Sequence, residues 1–306
     1  MPPRLVNNVY KSNFSLLISL YSAFVFFLLP LLTSAQPAEK KIIATIPPFV
    51  REGDRPQISF LFNNATAQDW SGSVQFNLID RSTQQPVDGW FFNSLANQYF
   101  TIEPHEKHFI FFPLEIPYQF NKKASWTLAA TAPKDSQLLA GPLTILPWIY
   151  EEEESTPHTN NQHYSVLKKI AGPPFSAAVL KPLRLETPVT VHTQDSIGVS
   201  LQIHLPQQKT PITIFEQWPS GTLLDSTSIR INGEKVNDTA ITFFQDHFIV
   251  KWTNRSANSS LTLRYKLSAK YPGQYHFPPA MLYSSDLEKP ISRSSFSSLT
   301  IESIEH

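Results

Sequence analysis

The chain has 306 residues, with 25 Lys+Arg balanced by 25 Asp+Glu, 26 Pro, 9 Gly and no Cys. That length accommodates two ordinary domains or one large one. The even charge excludes a strongly basic nucleic-acid binder. The absence of Cys excludes disulfides, thiolate metal sites, cysteine nucleophiles and an internal cysteinyl thioester. With 22 Phe, 10 Tyr and 6 Trp, the chain carries too many apolar anchors to be disordered.

The first 35 residues read as a targeting segment. Arg4 and Lys11 make a basic start, residues 14–32 are almost wholly apolar, and Thr33-Ser34-Ala35 supplies small residues for a signal peptidase. The apolar run has 19 residues, near spanning length, so a retained membrane anchor is the competing reading. Pro30 and the small-residue site favour cleavage. Loss of residues 1–35 removes two basic residues and no acid, leaving a net charge of −2. The expectation is an exported chain of the periplasm or cell envelope, touching membrane only through an uncleaved N-terminus.

From Ile42 to Leu146 the apolar pattern has a period of two. Ile58, Phe60 and Phe62 are in phase, as are Val74, Phe76 and Leu78, and Trp126, Leu128 and Ala130. Alternate side chains of a strand share a face, so each run presents a stripe to a common core. Phe109 to Leu114 is apolar on both faces and reads as a central, doubly covered strand. Turn formers such as Glu52-Gly53-Asp54 separate the runs, and a β-sandwich over residues 41–147 is predicted.

Residues 148–178 change character. Glu151 to Glu154 is followed by a polar stretch and reads as a solvated linker. Tyr164 to Ala171 is predicted as a short helix stopped by Gly172-Pro173-Pro174. Alternation resumes over residues 179–306, with Val199, Leu201, Ile203 and Leu205 in phase. The longest such run is Leu261, Leu263, Tyr265, Leu267, Ala269 and Tyr271. Asn232-Gly233 marks a tight hairpin. The fold class expected is all-β: two immunoglobulin-like sandwiches joined by a polar linker.

Catalytic patterns are missing from the sequence. The nine His are scattered; His105 and His108 lack a third ligand, and His158 and His163 fall in the linker. Gly-x-Ser-x-Gly does not occur, Pro219-Ser220-Gly221 reads as a turn, and there is no Gly-rich phosphate loop. No strand shows an isolated acid on an apolar inward face. The chain is therefore read as a non-enzyme with no catalytic residue, metal site or cofactor. Asn64, Asn237, Asn254 and Asn258 begin glycosylation-type triplets, a number close to chance in so Asn- and Ser-rich a chain.

Residues 264–302 carry a more specific pattern: the strand ending at Lys270, Pro272-Gly273, Tyr275 and Phe277, Pro278-Pro279-Ala280, Tyr283 and Arg293-Ser294-Ser295. This stretch resembles the C-terminal domain of the bacterial alpha-2-macroglobulin family. Ile212 to Gly221 is similar to that family's strand and Pro-Ala-Gly-like turn. The first block is similar to the domain preceding the family's thioester region, through Gly53-Asp54, Asn63-Asn64, Phe111 to Pro117 and Gly141 to Pro147. Family members trap proteases with a bait segment and a helical domain bearing a Cys-x-Glu-Gln thioester; this chain has no Cys. The resemblance implies a macroglobulin-like fold and a link to protease inhibition. By position, Leu282 and Tyr283 match the loop that shelters the thioester. With Phe277 and Met281 they are the expected protein-binding loop. The expected partner is a macroglobulin chain, a protease or an envelope protein, and not nucleic acid. The other reading is a membrane-anchored spacer of the envelope.

Overall fold

The computed structural model describes residues 39–120, 122–133, 135–148, 165–172, 175–180, 189–204, 211–236, 240–253, 260–284 and 290–304. The predicted targeting segment, Glu151 to Glu154, His158, His163, Asn237, Asn254 and Asn258 lie outside them. Among the described residues there is no α-helix, and a 3₁₀ turn spans Asp88–Phe91.

The first half contributes β1 (Lys40–Thr45), β2 (Val50–Arg51), β3 (Arg55–Asn64), β4 (Trp70–Asp80), β5 (Asn97–Ile102), β6 (Lys107–Pro113), β7 (Ala124–Ala132), β8 (Asp135–Leu143) and β9 (Ile145–Leu146). β3 lies between β1 and β6, and this sheet faces a second one of order β5-β4-β7-β8. The period-two stripes meet between them. Phe60 sits 5.7 Å from Phe76, 5.8 Å from Phe112 and 5.6 Å from Trp126, ring centre to ring centre. These tilted and edge-on contacts suit aromatic quadrupoles. β6 departs from expectation. It pairs only with β3, so it is an edge strand, and its outer face leaves Phe109 46% exposed and stacked on Phe111.

The second half contributes β10 (Ser165–Gly172), β11 (Phe175–Leu180), β12 (Val189–His192), β13 (Ser196–His204), β14 (Pro211–Gln217), β15 (Thr222–Ile231), β16 (Glu234–Lys235), β17 (Ile241–Phe243), β18 (His247–Thr253), β19 (Ser260–Ala269), β20 (Gly273–Phe277), β21 (Met281–Ser284), β22 (Ser292–Arg293) and β23 (Ser297–Glu302). One layer has the order β11-β10-β13-β19-β15-β16. The other combines β17-β18-β14-β21-β22 with β20-β23-β12. Leu261, Leu263, Tyr265, Leu267 and Ala269 point into the core between them, as their alternation requires. Asn232 and Gly233 both take positive φ (51° and 88°) in the β15–β16 hairpin, as the dipeptide predicts.

One expectation is corrected here. The predicted helix at 164–171 is β10, a strand in register with β13 from Ser165↔His204 to Ala171↔Gly198. Lys168 and Ile170, two apart, are both buried, which is the strand period and not the helical one. The two halves are also bonded to each other and not merely strung together. β20 pairs with the start of β3 through Gly273↔Pro56 and Gln274↔Arg55, so β1, β3, β6, β20, β23 and β12 form one six-stranded sheet. Gly273 has φ +141°, and a Cβ there would lie 2.7 Å from the Arg55 carbonyl oxygen, so the close approach requires glycine.

Candidate functional site

The turn between β2 and β3 builds the contact between the halves. Gly53, at φ +81°, turns the chain so that Arg51 and Asp54 both face the second half. The Arg51 guanidinium, 1% exposed, meets Asp246 Oδ2 at 2.6 Å and lies over the Phe49 ring. Burial pushes the Asp246 carboxyl upward, but its hydrogen bond with His247 and the Arg51 charge outweigh that and hold it below the usual carboxylate range. Asp54 is fully buried. Its carboxylate accepts from Ser220 Oγ (2.7 Å), Arg51 N (2.8 Å) and His276 N (3.0 Å), and lies 3.2 Å from His276 Nδ1. Glu52 accepts from the backbone N–H groups of Gln119 (2.8 Å) and Trp148 (3.1 Å), and the Trp148 ring packs 4.4 Å from that of His276. A buried carboxylate with several donors is a fixed structural node. Ser220, in the predicted Pro219-Ser220-Gly221 turn, is one of its ligands.

On the outer face of the shared sheet, where β3 meets β20, lies an open groove of about 1020 Å³. Arg55, Gln57, Glu115, His192, Gln274 and Glu302 are among its lining residues. Arg55 and Glu115 form an exposed pair at 3.3 Å. His192 lies 3.8 Å from Asp195 and 3.6 Å from Glu302. Donors, acceptors and both signs of charge thus surround an exposed sheet surface.

The expected binding loop is placed differently. Phe277 closes β20, and Met281, Leu282 and Tyr283 belong to β21, which pairs with β14 and β22. Phe277 and Leu282 have no exposed surface and Met281 retains 9%. Phe277 and Leu282 fill the second half's interior, and Met281 is buried on the other side of β21, so none of the three is an exposed anchor; Tyr283 is half-buried, its hydroxyl directed to Met281 Sδ. The physical reason is period and pairing: β14 claims Met281 to Ser284 as a neighbour, and alternation then turns Leu282 inward. His105 sits in a turn at φ +63° and His108 on β6. Among the described residues no group of three His, Asp or Glu gathers as a metal site would require.

A second polar cluster lies inside the second core. Lys168 of β10, Glu216 of β14 and Tyr265 of β19 are buried together. Lys168 Nζ is 2.5 Å from Glu216 Oε1 and donates to the Pro278 carbonyl at 2.8 Å, and Tyr265 Oη donates to Glu216 Oε1. This corrects the reading that no strand carries an inward acid. Glu216 is in phase with Ile212 and Ile214, so the alternation already placed it inside.

No protein-family model matches the chain, and no curated protein does. The structure is similar to native alpha-2-macroglobulin from Escherichia coli over its span from domain MG7 to the C-terminus. The TM-score is 0.50 at 8% identity, covering 87% of this chain and all of that one. Red sea bream transglutaminase (TM-score 0.26, 8% identity, 89% of this chain and 32% of that one) is far less alike. So is the Vibrio cholerae secreted serine protease VesC (TM-score 0.25, 9% identity, 77% and 47%). At such low identity the likeness is one of fold: immunoglobulin-like, macroglobulin-like β-sandwich architecture.

Proposed function

We propose that the chain is an exported, non-catalytic protein-binding module, a relative of the bacterial alpha-2-macroglobulins in which no Cys is present to form their thioester. The supporting observation is the fold likeness to a macroglobulin C-terminal region over 87% of a chain that contains no Cys. The partner is another macroglobulin-like chain, a protease or an envelope protein, and the groove beside Arg55 and Gln274 is its docking surface. A photo-crosslinking side chain placed at Gln274, in the host envelope, is expected to trap one exported protein. The same probe at Leu138, exposed on β8, is expected to trap none. Identical adducts from both positions, or turnover of small ester or peptide substrates by the purified chain, would overturn the reading.

The second reading is an envelope spacer held by an uncleaved N-terminal segment. The β3–β20 pairing favours a spacer of fixed length over a flexible one. Sequencing the N-terminus of the exported protein separates the two: cleavage after Ala35 supports the free module, and Met1 in the membrane fraction supports the spacer.

A further inference from the structure

Lys168 and Glu216 are the one described Lys–carboxylate pair in which neither side chain has any exposed surface. Their surroundings are buried and largely apolar. The ammonium position lies 4.6 Å from the centre of the Phe277 ring, and Tyr265, Phe248 and Leu282 complete the same core. Glu216 Oε1 receives both Lys168 and Tyr265, whereas Oε2 is buried with no hydrogen-bond partner. A carboxylate held in this way keeps an unsatisfied charged oxygen in a low-dielectric interior, where ion pairs often fail to repay their desolvation. A neutral linkage between the same atoms would remove both charges.

We propose that Lys168 and Glu216 condense to an intramolecular amide, an isopeptide bond that clamps β10 to β14 across the second core. One proton passes from the Lys168 ammonium to Glu216, giving an amine beside a carboxylic acid. The Nζ lone pair attacks Cδ, forming the N–C bond. The Tyr265 hydroxyl protonates Oε1, the Cδ–Oε1 bond breaks, and Oε1 departs as water with the acid proton and the phenolic proton. The proton released from nitrogen restores the phenol. Atoms and charges balance without an oxidant, reductant or added cofactor.

The face-to-face packing of the two layers supplies the proximity that such condensations need, holding nucleophile and electrophile in contact through the whole lifetime of the fold. Burial also pushes Lys168 below the ordinary lysine range and Glu216 above the ordinary carboxylate range, which favours the two neutral, reacting forms. Excluding water from the core drives the reaction toward amide. Burial, with the neighbouring Glu216, raises the Tyr265 hydroxyl well above a normal phenol, so it enters the reaction protonated.

Mass spectrometry of the denatured wild-type protein tests this without relying on any variant folding. After its N-terminus is determined, the chain is expected to weigh one water less than its sequence. Its tryptic digest should contain a branched peptide joining Lys168 to Glu216. Tyr265→Phe, which removes only a hydroxyl, is expected to restore the lost water and abolish the branched peptide, as is Lys168→Met. A wild-type chain of full sequence mass overturns the proposal. So does a water loss mapped to any other residue, or complete branching in Tyr265→Phe.

Discussion

The Arg51–Asp246 pair joins residues nearly two hundred positions apart. Removing the cation leaves a largely buried carboxylate without its counter-charge. Arg51→Met is therefore expected to destabilise the protein by about 3–5 kcal/mol, read from urea denaturation. The sign of its pH dependence follows from Asp246, whose carboxyl is lower in the folded chain than in the unfolded one. The pair's contribution is fully present above the unfolded carboxylate range and is lost as pH falls through the folded value. Asp246→Asn is expected to flatten that acid limb, so an unchanged limb would refute the assignment. Asn64 shows why a local motif misleads. Its side-chain amide donates to the carbonyls of Gln68, Ile102 and Glu103, and its oxygen accepts from Thr66, so the triplet is a structural brace with no free amide for a glycan. Nothing local to Glu52-Gly53-Asp54 revealed its role beyond a turn, because the partners Ser220 and His276 lie 166 and 222 residues from Asp54.

At the scale of elements, alternation made most strands readable. β3, β4, β7, β13 and β19 lie where their in-phase apolar residues placed them. Two segments misled for identifiable reasons. Phe109 to Phe112 is apolar at every position, so its pattern cannot distinguish a central strand from an edge strand whose outer face carries aromatics. The difference has a measurable consequence. Phe109→Ser is expected to change stability by less than about 0.5 kcal/mol, because the ring is half in solvent. Phe112→Ala, one face over and fully buried, is expected to cost about 3–5 kcal/mol in the same urea titration. The segment that became β10 carries apolar residues spaced for either period. Pairing with β13 decided it, a tertiary choice that propensity does not contain. The expected binding-loop residues show the same dependence: which apolar residues stay outside depends on which neighbour a strand acquires.

For the whole molecule, the shared sheet predicts joint behaviour. Calorimetry is expected to show one unfolding transition for both halves. Gly273→Val places a Cβ against the backbone of Arg55 and Pro56 at a positive φ, and is expected to cost about 1–3 kcal/mol and to split the transition in two. Two transitions in the unmodified protein would show that the β3–β20 bridge carries little coupling. The crossing also runs through side chains. Phe49, contributed by the segment before β2, is buried in the second core, the cluster that also holds Ile197, Trp218 and Tyr275. Severing the chain within 149–164 would therefore not release two self-sufficient pieces. The C-terminal fragment would keep a vacancy shaped like a benzyl group, and only the missing N-terminal portion, supplied in trans, could plug it.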